Sequence, residues 1–408
     1  MAKKYFSRAR VLTFPIMLLI LMQKSAKSMQ LVLNEFLDKL KIPRVSSSAF
    51  TQARSHLSHQ AFIELNQEAI VRTCYDDGDY EKYKGYRILG IDGSKIYLPL
   101  EAQIIAEFGG TPENQYSEEI HPFGVASVLY DVLNRIAIDS HLASANAYEV
   151  ALAINHLPHT QANDLLLLDR NYPSYLFLST LCQANRAFII RASRGSFTPI
   201  QHMFDGIGPD SQIVTLKVSS AKSKEINHRQ LPRKITVRLV RVWLDSGEME
   251  VLITSLLDEI AYPTADFGYL YALRWGSETF YDLLKNRLQL ENFTGKTVEA
   301  VKQDFYAAIY ISGLESLLIG PAQALLQERS AENKYPLQVN HAVSFNTIKN
   351  HVFDLLCTEA DEDLLLAKLT NLFLSKPTSV RKDRSVPRPK RSLSKRLQFH
   401  KRVKKVCF

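Results

Sequence analysis

The spacing of apolar residues changes character near residue 85. Before that point they recur at helical intervals. Leu31, Leu33, Phe36, Leu37, Leu40 and Ile42 fall near one face of a helix, and Ser46-Ser47-Ser48 offers a cap for the next. After it come short apolar runs of strand length. Arg87-Ile88-Leu89-Gly90-Ile91 ends on Asp92, and the turn-type pair Gly93-Ser94 separates it from Ile96-Tyr97-Leu98. Residues 123–133 and 135–142 read as two strands joined near Asn134. Residues 147–157 fit a helix that Pro158 helps to end. Leu165-Leu166-Leu167-Leu168 is four apolar residues in a row, as in a strand buried on both faces, and it ends on Asp169. Residues 173–184 read as a helix and 187–191 as a strand.

Three strands, helix, strand, helix, strand is the order of a ribonuclease-H-like α/β core, a mixed sheet flanked by helices. The pattern then breaks. Residues 194–256 contain a polar, basic stretch (Lys222, Lys224, His228, Arg229, Arg233, Lys234). Alternating material at 235–243 and 251–253 follows, which predicts a β-rich insertion. One long helix is predicted from about Ala265 to Leu290, with further helices to about Leu374. The chain therefore divides into a helical N-terminal domain (1–80), an α/β domain (85–320) carrying the insertion, a helical region (321–375) and a basic tail (376–408).

Charge sharpens this division. The net charge is +8 at pH 7, but residues 376–408 alone carry +12 and residues 1–27 carry +6, leaving −10 for the rest. Basic ends on an acidic body suit a polyanionic partner, although basic tails also serve solubility alone. The cysteines (Cys74, Cys182, Cys357, Cys407) are far apart and form no C-x-x-C pair, a usage that suits a reducing cytosol. The apolar run Val11–Met22 follows basic residues and imitates a secretory signal. It is short for a membrane span, which needs about 20 residues. Pro15 interrupts it and no small-x-small cleavage site follows, so it is read as a buried helix of a cytoplasmic protein with no membrane association.

The candidate chemistry lies in three acids. Asp92 and Asp169 each follow an apolar strand, and acids meeting at strand ends are the hard oxygen ligands that magnesium prefers. Two such acids alone are weak evidence, because strands often finish on a polar residue. The third element is Tyr271, Arg274, Glu278 and Lys285, spaced by 3, 4 and 7. At about 100° per residue they fall within about 60° of one another round a helix, presenting an acid, a guanidinium fork, an ammonium and a phenol on one stripe. Arg and Lys suit phosphate oxygens, and a Tyr suits a sugar-phosphate end. The plain alternative is a solvated helix face with ordinary salt pairs. No G-x-x-x-x-G-K-[ST], H-E-x-x-H or G-x-S-x-G segment offers a competing chemistry. Trp243 and Trp275 are candidates to stack on an unpaired base, although packing is the commoner role of such residues.

Y-x2-R-x3-E-x6-K, matched here by Tyr271, Arg274, Glu278 and Lys285, resembles the signature of prokaryotic insertion-sequence transposases of the DDE type. Asp92 in Ile-Asp-Gly-Ser and Asp169 in Leu-Asp-Arg-Asn-Tyr resemble that family's other acidic blocks, with Asn171 where a Gly is common. The resemblance covers residues 85–320. It implies catalysis by Asp92, Asp169 and Glu278 through two Mg2+ ions (Mn2+ as substitute), and DNA contacts by Tyr271, Arg274 and Lys285. It also implies cutting at terminal inverted repeats of double-stranded DNA and joining to target DNA by a dimer in a synaptic complex. A ribonuclease-H-like nuclease without strand transfer, or an inactive DNA-binding regulator derived from a transposase, are the alternatives. The +12 tail is expected to bind DNA through phosphates. Truncation before Arg381 should then weaken binding across all sequences and flatten its salt dependence, whereas an unchanged salt slope would assign the tail another partner.

Overall fold

The structure, a computed structural model, describes residues 5–6, 10–23, 27–112, 120–244, 247–358 and 361–380. The basic tail therefore falls outside the described residues beyond Val380. The chain folds as two compact units. One comprises 79–94 and 125–281, and the other comprises the described parts of 1–78, 95–124 and 282–408.

Among the described residues, nine strands form one mixed sheet. In chain order they are β1 (Arg87–Tyr97), β2 (Gly110–Pro112), β3 (Ile120–Asp131), β4 (Ile136–Ser144), β5 (Asp164–Leu168), β6 (Ala187–Arg191), β7 (Ser211–Lys217), β8 (Lys234–Trp243) and β9 (Met249–Thr254). The order β4-β3-β1-β5-β6 is the ribonuclease-H-like core, with β2 pairing the start of β3. Val132 N–H donates to Ile88 O and Leu98 N–H to Pro122 O, so β3 runs antiparallel to β1. The turn into β4 is built by Asp131, whose Oδ1 accepts the N–H groups of Leu133 and Asn134, while Arg135 takes a positive φ of 59°. β1, β5 and β6 run parallel, which requires crossovers. The helices at 149–156 and 175–183 supply them, the second capped by Ser174, which accepts the Phe177 N–H. Every residue of β5 is buried, as its unbroken apolar run predicts.

Two expectations are corrected here. Asp92 does not end a strand, because β1 continues through Gly93-Ser94 to Tyr97. Those residues read as a turn, but β3 beside them keeps accepting and donating backbone hydrogen bonds out to Leu98, and pairing outweighs local propensity. The helix expected from 265 to 290 is likewise broken. It consists of 266–272, a turn at Leu273-Arg274, a second segment at 275–282 and a π-helical turn at Leu283–Arg287. At the break the N–H groups of Arg274, Gly276 and Ser277 bond three residues back instead of four, tightening the winding before it widens again.

The insertion is not a separate β module. Its last strand, β9, pairs antiparallel with β6, then β8 with β9 and β7 with β8, so it extends the core sheet outward. Arg238 on β8 is fully buried and fastens this extension to the segment before the broken helix. Its guanidinium donates to Ser211 Oγ (2.8 Å), Tyr262 O (2.6 Å) and Thr264 Oγ1 (3.1 Å) and lies over the Phe267 ring.

In the other unit the helices of residues 1–78 share a core with a 32-residue helix, Val298–Arg329. The apolar run near the N-terminus forms a helix, Phe14–Met22, with Ile16 to Met22 buried. Arg54 is buried and donates to Gln303, Thr294, Ala300 O and Asp304, an ion pair of 2.8 Å that ties the N-terminal helices to the long one. By length and composition the long helix could span a membrane, yet 56% of its most apolar window is buried inside the protein.

One contact seats the broken helix on the sheet. A Cβ built at Gly90 would stand 2.1 Å from Ser277 Oγ, so β1 admits the helix there only because residue 90 has no side chain. Gly90→Ala should cost about 1–2 kcal/mol of stability, the usual scale for overpacking. Ser277→Ala removes a buried hydroxyl with no partner and should be neutral or stabilising. In that background the cost of Gly90→Ala should largely vanish, since the Ser277 Cβ would be 3.5 Å away. Denaturant unfolding of the four proteins of this cycle measures the coupling, and strict additivity would rule the contact out.

Candidate active site

Register brings the first two acids together. β1 pairs with β5 so that Ile91 faces Leu168, which sets the next residues, Asp92 and Asp169, level on neighbouring parallel strands, roughly 5 Å apart along the sheet. Each carboxylate is held by its own turn of backbone. Asp92 Oδ1 accepts the Gly93 N–H at 2.9 Å and Asp169 Oδ1 the Arg170 N–H at 2.6 Å. The register is locked at the far end of the pair by Arg87 and Asp164, a buried two-pronged ion pair with both bonds at 2.7 Å.

Glu278 reaches the same region from the broken helix. Gly90 and Asp92 share one face of β1, and Ser277 packs on Gly90. The Tyr281 hydroxyl sits 2.9 Å from Asp92 O and 3.0 Å from Ala126 O, pinning the helix over β1 and β3. Arg274 Nη2 donates to Glu278 Oε1 at 3.0 Å, and its guanidinium lies 5.1 Å from the Trp275 ring. Tyr271 and Arg274 are buried, so the stripe is not a solvated face with ordinary salt pairs. Lys285 falls on the π-helical turn, in the other compact unit, where its ammonium donates to Lys95 O at 2.7 Å. The uniform winding assumed for the stripe does not hold, because the break at 273–274 and the π turn change the rotation per residue.

The electrostatics also tie the acids together. Burial pushes the Asp92 carboxyl up to about 6. The Gly93 N–H and the Arg274 charge oppose that rise, and the charges of Glu278 and Asp169 reinforce it. Burial likewise raises Tyr271 and Tyr172, which stay protonated and can donate. Around this cluster, Tyr172 Oη, Tyr271 Oη, Arg274 Nε and Ser277 Oγ are buried without hydrogen-bond partners. Orphaned polar atoms at this density, beside the raised Asp92 carboxyl, fit a site that receives a cation and a polar ligand. The donor set of Asp92, Asp169 and Glu278 is all oxygen, as a hard divalent ion requires.

Sequence reasoning missed three neighbours. Glu149 lies against the strand beside Asp92, since a Cβ at Gly93 would stand 3.2 Å from its Oε1. Glu250 on β9 is buried and pairs with Arg191 at 3.0 Å, and the charges of Arg274 and Asp169 act on it. Tyr172 closes the Leu-Asp-Arg-Asn-Tyr block, three residues after Asp169, but nothing in the sequence gives its hydroxyl a role of its own. The two glutamates belong to elements whose proximity only the fold reveals.

Residues 83–312 match the family described as Transposase DDE domain, whose members use divalent metal. The chain is 26% identical over 281 residues to the transposase InsG of insertion sequence element IS4 from Escherichia coli (strain K12). That match covers 65% of this chain and 60% of the relative's length. A cryo-EM piggyBac transposase synaptic complex with hairpin DNA aligns over 74% of this chain and 60% of its own, at 9% identity and a TM-score of 0.37.

The raised carboxyl of Asp92 has a thermodynamic consequence. Asp92 binds a proton more tightly in the folded chain than an ordinary carboxyl at 3.8, so folding takes up protons between pH 4 and 6. Stability from this group therefore falls as pH rises through that window and stays reduced above it. Metal-free Asp92→Asn should be more stable than wild type at pH 7.5, by about 1–3 kcal/mol, and equal to it near pH 4. Calorimetric melts in chelator at the two pH values test this, and a variant less stable at pH 7.5 would contradict it.

Proposed function

Because that match spans more than half of its length, the chain belongs to the transposase DDE-domain family, and we propose that it cuts the ends of an insertion sequence and joins them to target DNA. The levelling of Asp92 with Asp169 on adjacent strands, with Glu278 brought over the same face, is the observation that supports this most. In this reading Asp92, Asp169 and Glu278 hold two Mg2+ ions, with Mn2+ as a working substitute. Bound there, the ions would stabilise charge on the attacking and leaving oxygens of an in-line phosphodiester displacement. The substrates are double-stranded DNA carrying terminal inverted repeats, and the target duplex. The protein acts in the cytoplasm, as a dimer in a synaptic complex, with residues 1–80 recognising the ends and residues 376–408 gripping phosphates.

The chain's own residues then take distinct parts. Arg274 is a positioning residue, because its hydrogen bond fixes the oxygen of Glu278 that would face the metal. Its unpartnered Nε, together with the Tyr271 hydroxyl, remains for a DNA phosphate or sugar. Lys285 serves the phosphate backbone as a point charge. Trp243 and Trp275, both more than half exposed, offer rings to an unpaired base at a frayed end.

Asp92→Asn, Asp169→Asn and Glu278→Gln should each abolish end cleavage and strand transfer while terminal DNA binding persists, because the amides keep shape and lose the charge that holds the metal. Substantial cleavage by one of them removes that residue from the site. Cleavage by wild type without any joined product would leave a nuclease. Arg274→Ala should lower the single-turnover rate on pre-bound DNA and raise the magnesium needed for half-maximal rate by about 10–100-fold. A loss of rate with the magnesium requirement unchanged would mean that Arg274 does not act through Glu278.

A further inference from the structure

A second polar cluster lies on β4, the outer strand of the core sheet, within the unit formed by 79–94 and 125–281. Asp139 and His141 project from one face of β4, two residues apart. His156 ends the helix 149–156, and His159 follows one short turn later. Asp139 Oδ2 is the common point. It stands 2.7 Å from His156 Nδ1, 3.2 Å from His141 Nε2 and 3.8 Å from His159 Nε2. The donor atoms of Asp139, His141 and His156 all lie within 4.8 Å of one another.

We propose that Asp139, His141 and His156 form a structural site for a zinc-like divalent cation, with His159 or a water as the fourth ligand. Zinc bonds of about 2.0–2.1 Å in a tetrahedron put the donor atoms about 3.3 Å apart, and the three distances from Asp139 straddle that value. The imidazole-rich set selects a borderline ion such as zinc, in contrast to the oxygen-only set of Asp92, Asp169 and Glu278.

Two details favour a cation over a plain hydrogen-bond network. His141 Nε2 is buried and makes no hydrogen bond, although it lies close to the carboxylate. His156, which is completely buried, has its other ring nitrogen 3.0 Å from Ser127 Oγ. A hydroxyl both donates and accepts. Without metal, Ser127 can donate to Nε2 while Nδ1–H donates to Asp139. With metal, Nε2–H donates to Ser127 and frees the Nδ1 lone pair for coordination, the outer-shell partner a ligating histidine requires.

Ser127, His156 and Asp139 also have the sequence of contacts of a nucleophilic triad. Ser127 and His156 are 1% and 0% exposed, so no acyl substrate reaches the hydroxyl and that chemistry is excluded. The site would instead staple the outer strand β4 to the end of the helix whose first residue, Glu149, lies beside Asp92.

The test loads the full-length protein with Zn2+ in excess Mg2+, removes unbound metal by desalting, and measures zinc per chain by elemental analysis. Wild type and Glu278→Gln should retain one zinc and melt higher with it, while His141→Ala and Asp139→Asn should retain none and show no zinc-dependent shift. Folded wild type that retains no zinc, or His141→Ala that retains as much as wild type, overturns the proposal. Should the variants fail to fold, cobalt-loaded wild type decides. Intense visible bands of a four-coordinate, nitrogen-bearing site support the proposal, and only the weak bands of an octahedral oxygen site overturn it.

Discussion

The register between β1 and β5 is the constraint on which the rest of the molecule depends. Side chains alternate along a strand, so a slip of one residue would turn Asp92 to the other face and bring Gly93 level with Asp169. The apolar runs alone do not forbid that slip, since Leu165 to Leu168 is apolar at every position and buries well in either phase. The fork between Arg87 and Asp164 does. Both groups are almost wholly buried, and a shifted register would leave two desolvated charges apart. Buried ion pairs of this kind contribute little net stability, and their effect is to make the alternative arrangements costly. The pair is thus a specificity device some five residues from the acids it aligns.

The second constraint is how closely the helix bearing Glu278 can approach. Gly90 lets Ser277 sit against β1, Gly276 brings the same helix against Val132, and Tyr281 bonds to two strands at once. With the helix that low, Glu278 lies within reach of the charges it repels, and Arg274 must be held inside the protein to offset them. The tight turn at 273–274 is where these demands meet. There the winding tightens, and the buried guanidinium and the glutamate pair across it.

Much of this was legible in the sequence, for identifiable reasons. β5 and β6 declare themselves because strands buried on both faces need unbroken apolar runs, and the crossover helices because parallel neighbours require them. The three candidate acids stood out in the sequence, two after apolar runs and one on a spaced stripe. What was not legible depends on distant partners. Gly93-Ser94 looks like a turn until β3 is seen pairing beside it. The helix break at 273–274 carries neither proline nor glycine, Gly268 lying before it and Gly276 after it. Glu149, Glu250 and the histidines about Asp139 come from elements with no fixed sequence spacing between them. Nor does the alternation in the insertion reveal that its last strand joins the core sheet.

That last arrangement bears on how the chain is made. When β6 leaves the ribosome its outer edge has no partner, because the strand that covers it, β9, ends 63 residues after β6 does. At about 5–20 residues per second, the edge waits roughly 3–13 seconds during synthesis. Over that interval the half-built sheet presents unpaired backbone groups beside Phe188, Ile189 and Ile190, the arrangement that recruits strands from other chains. The segment that interrupts the core in sequence is thus also its closing piece, and nascent copies translated side by side are most prone to capture one another before it arrives.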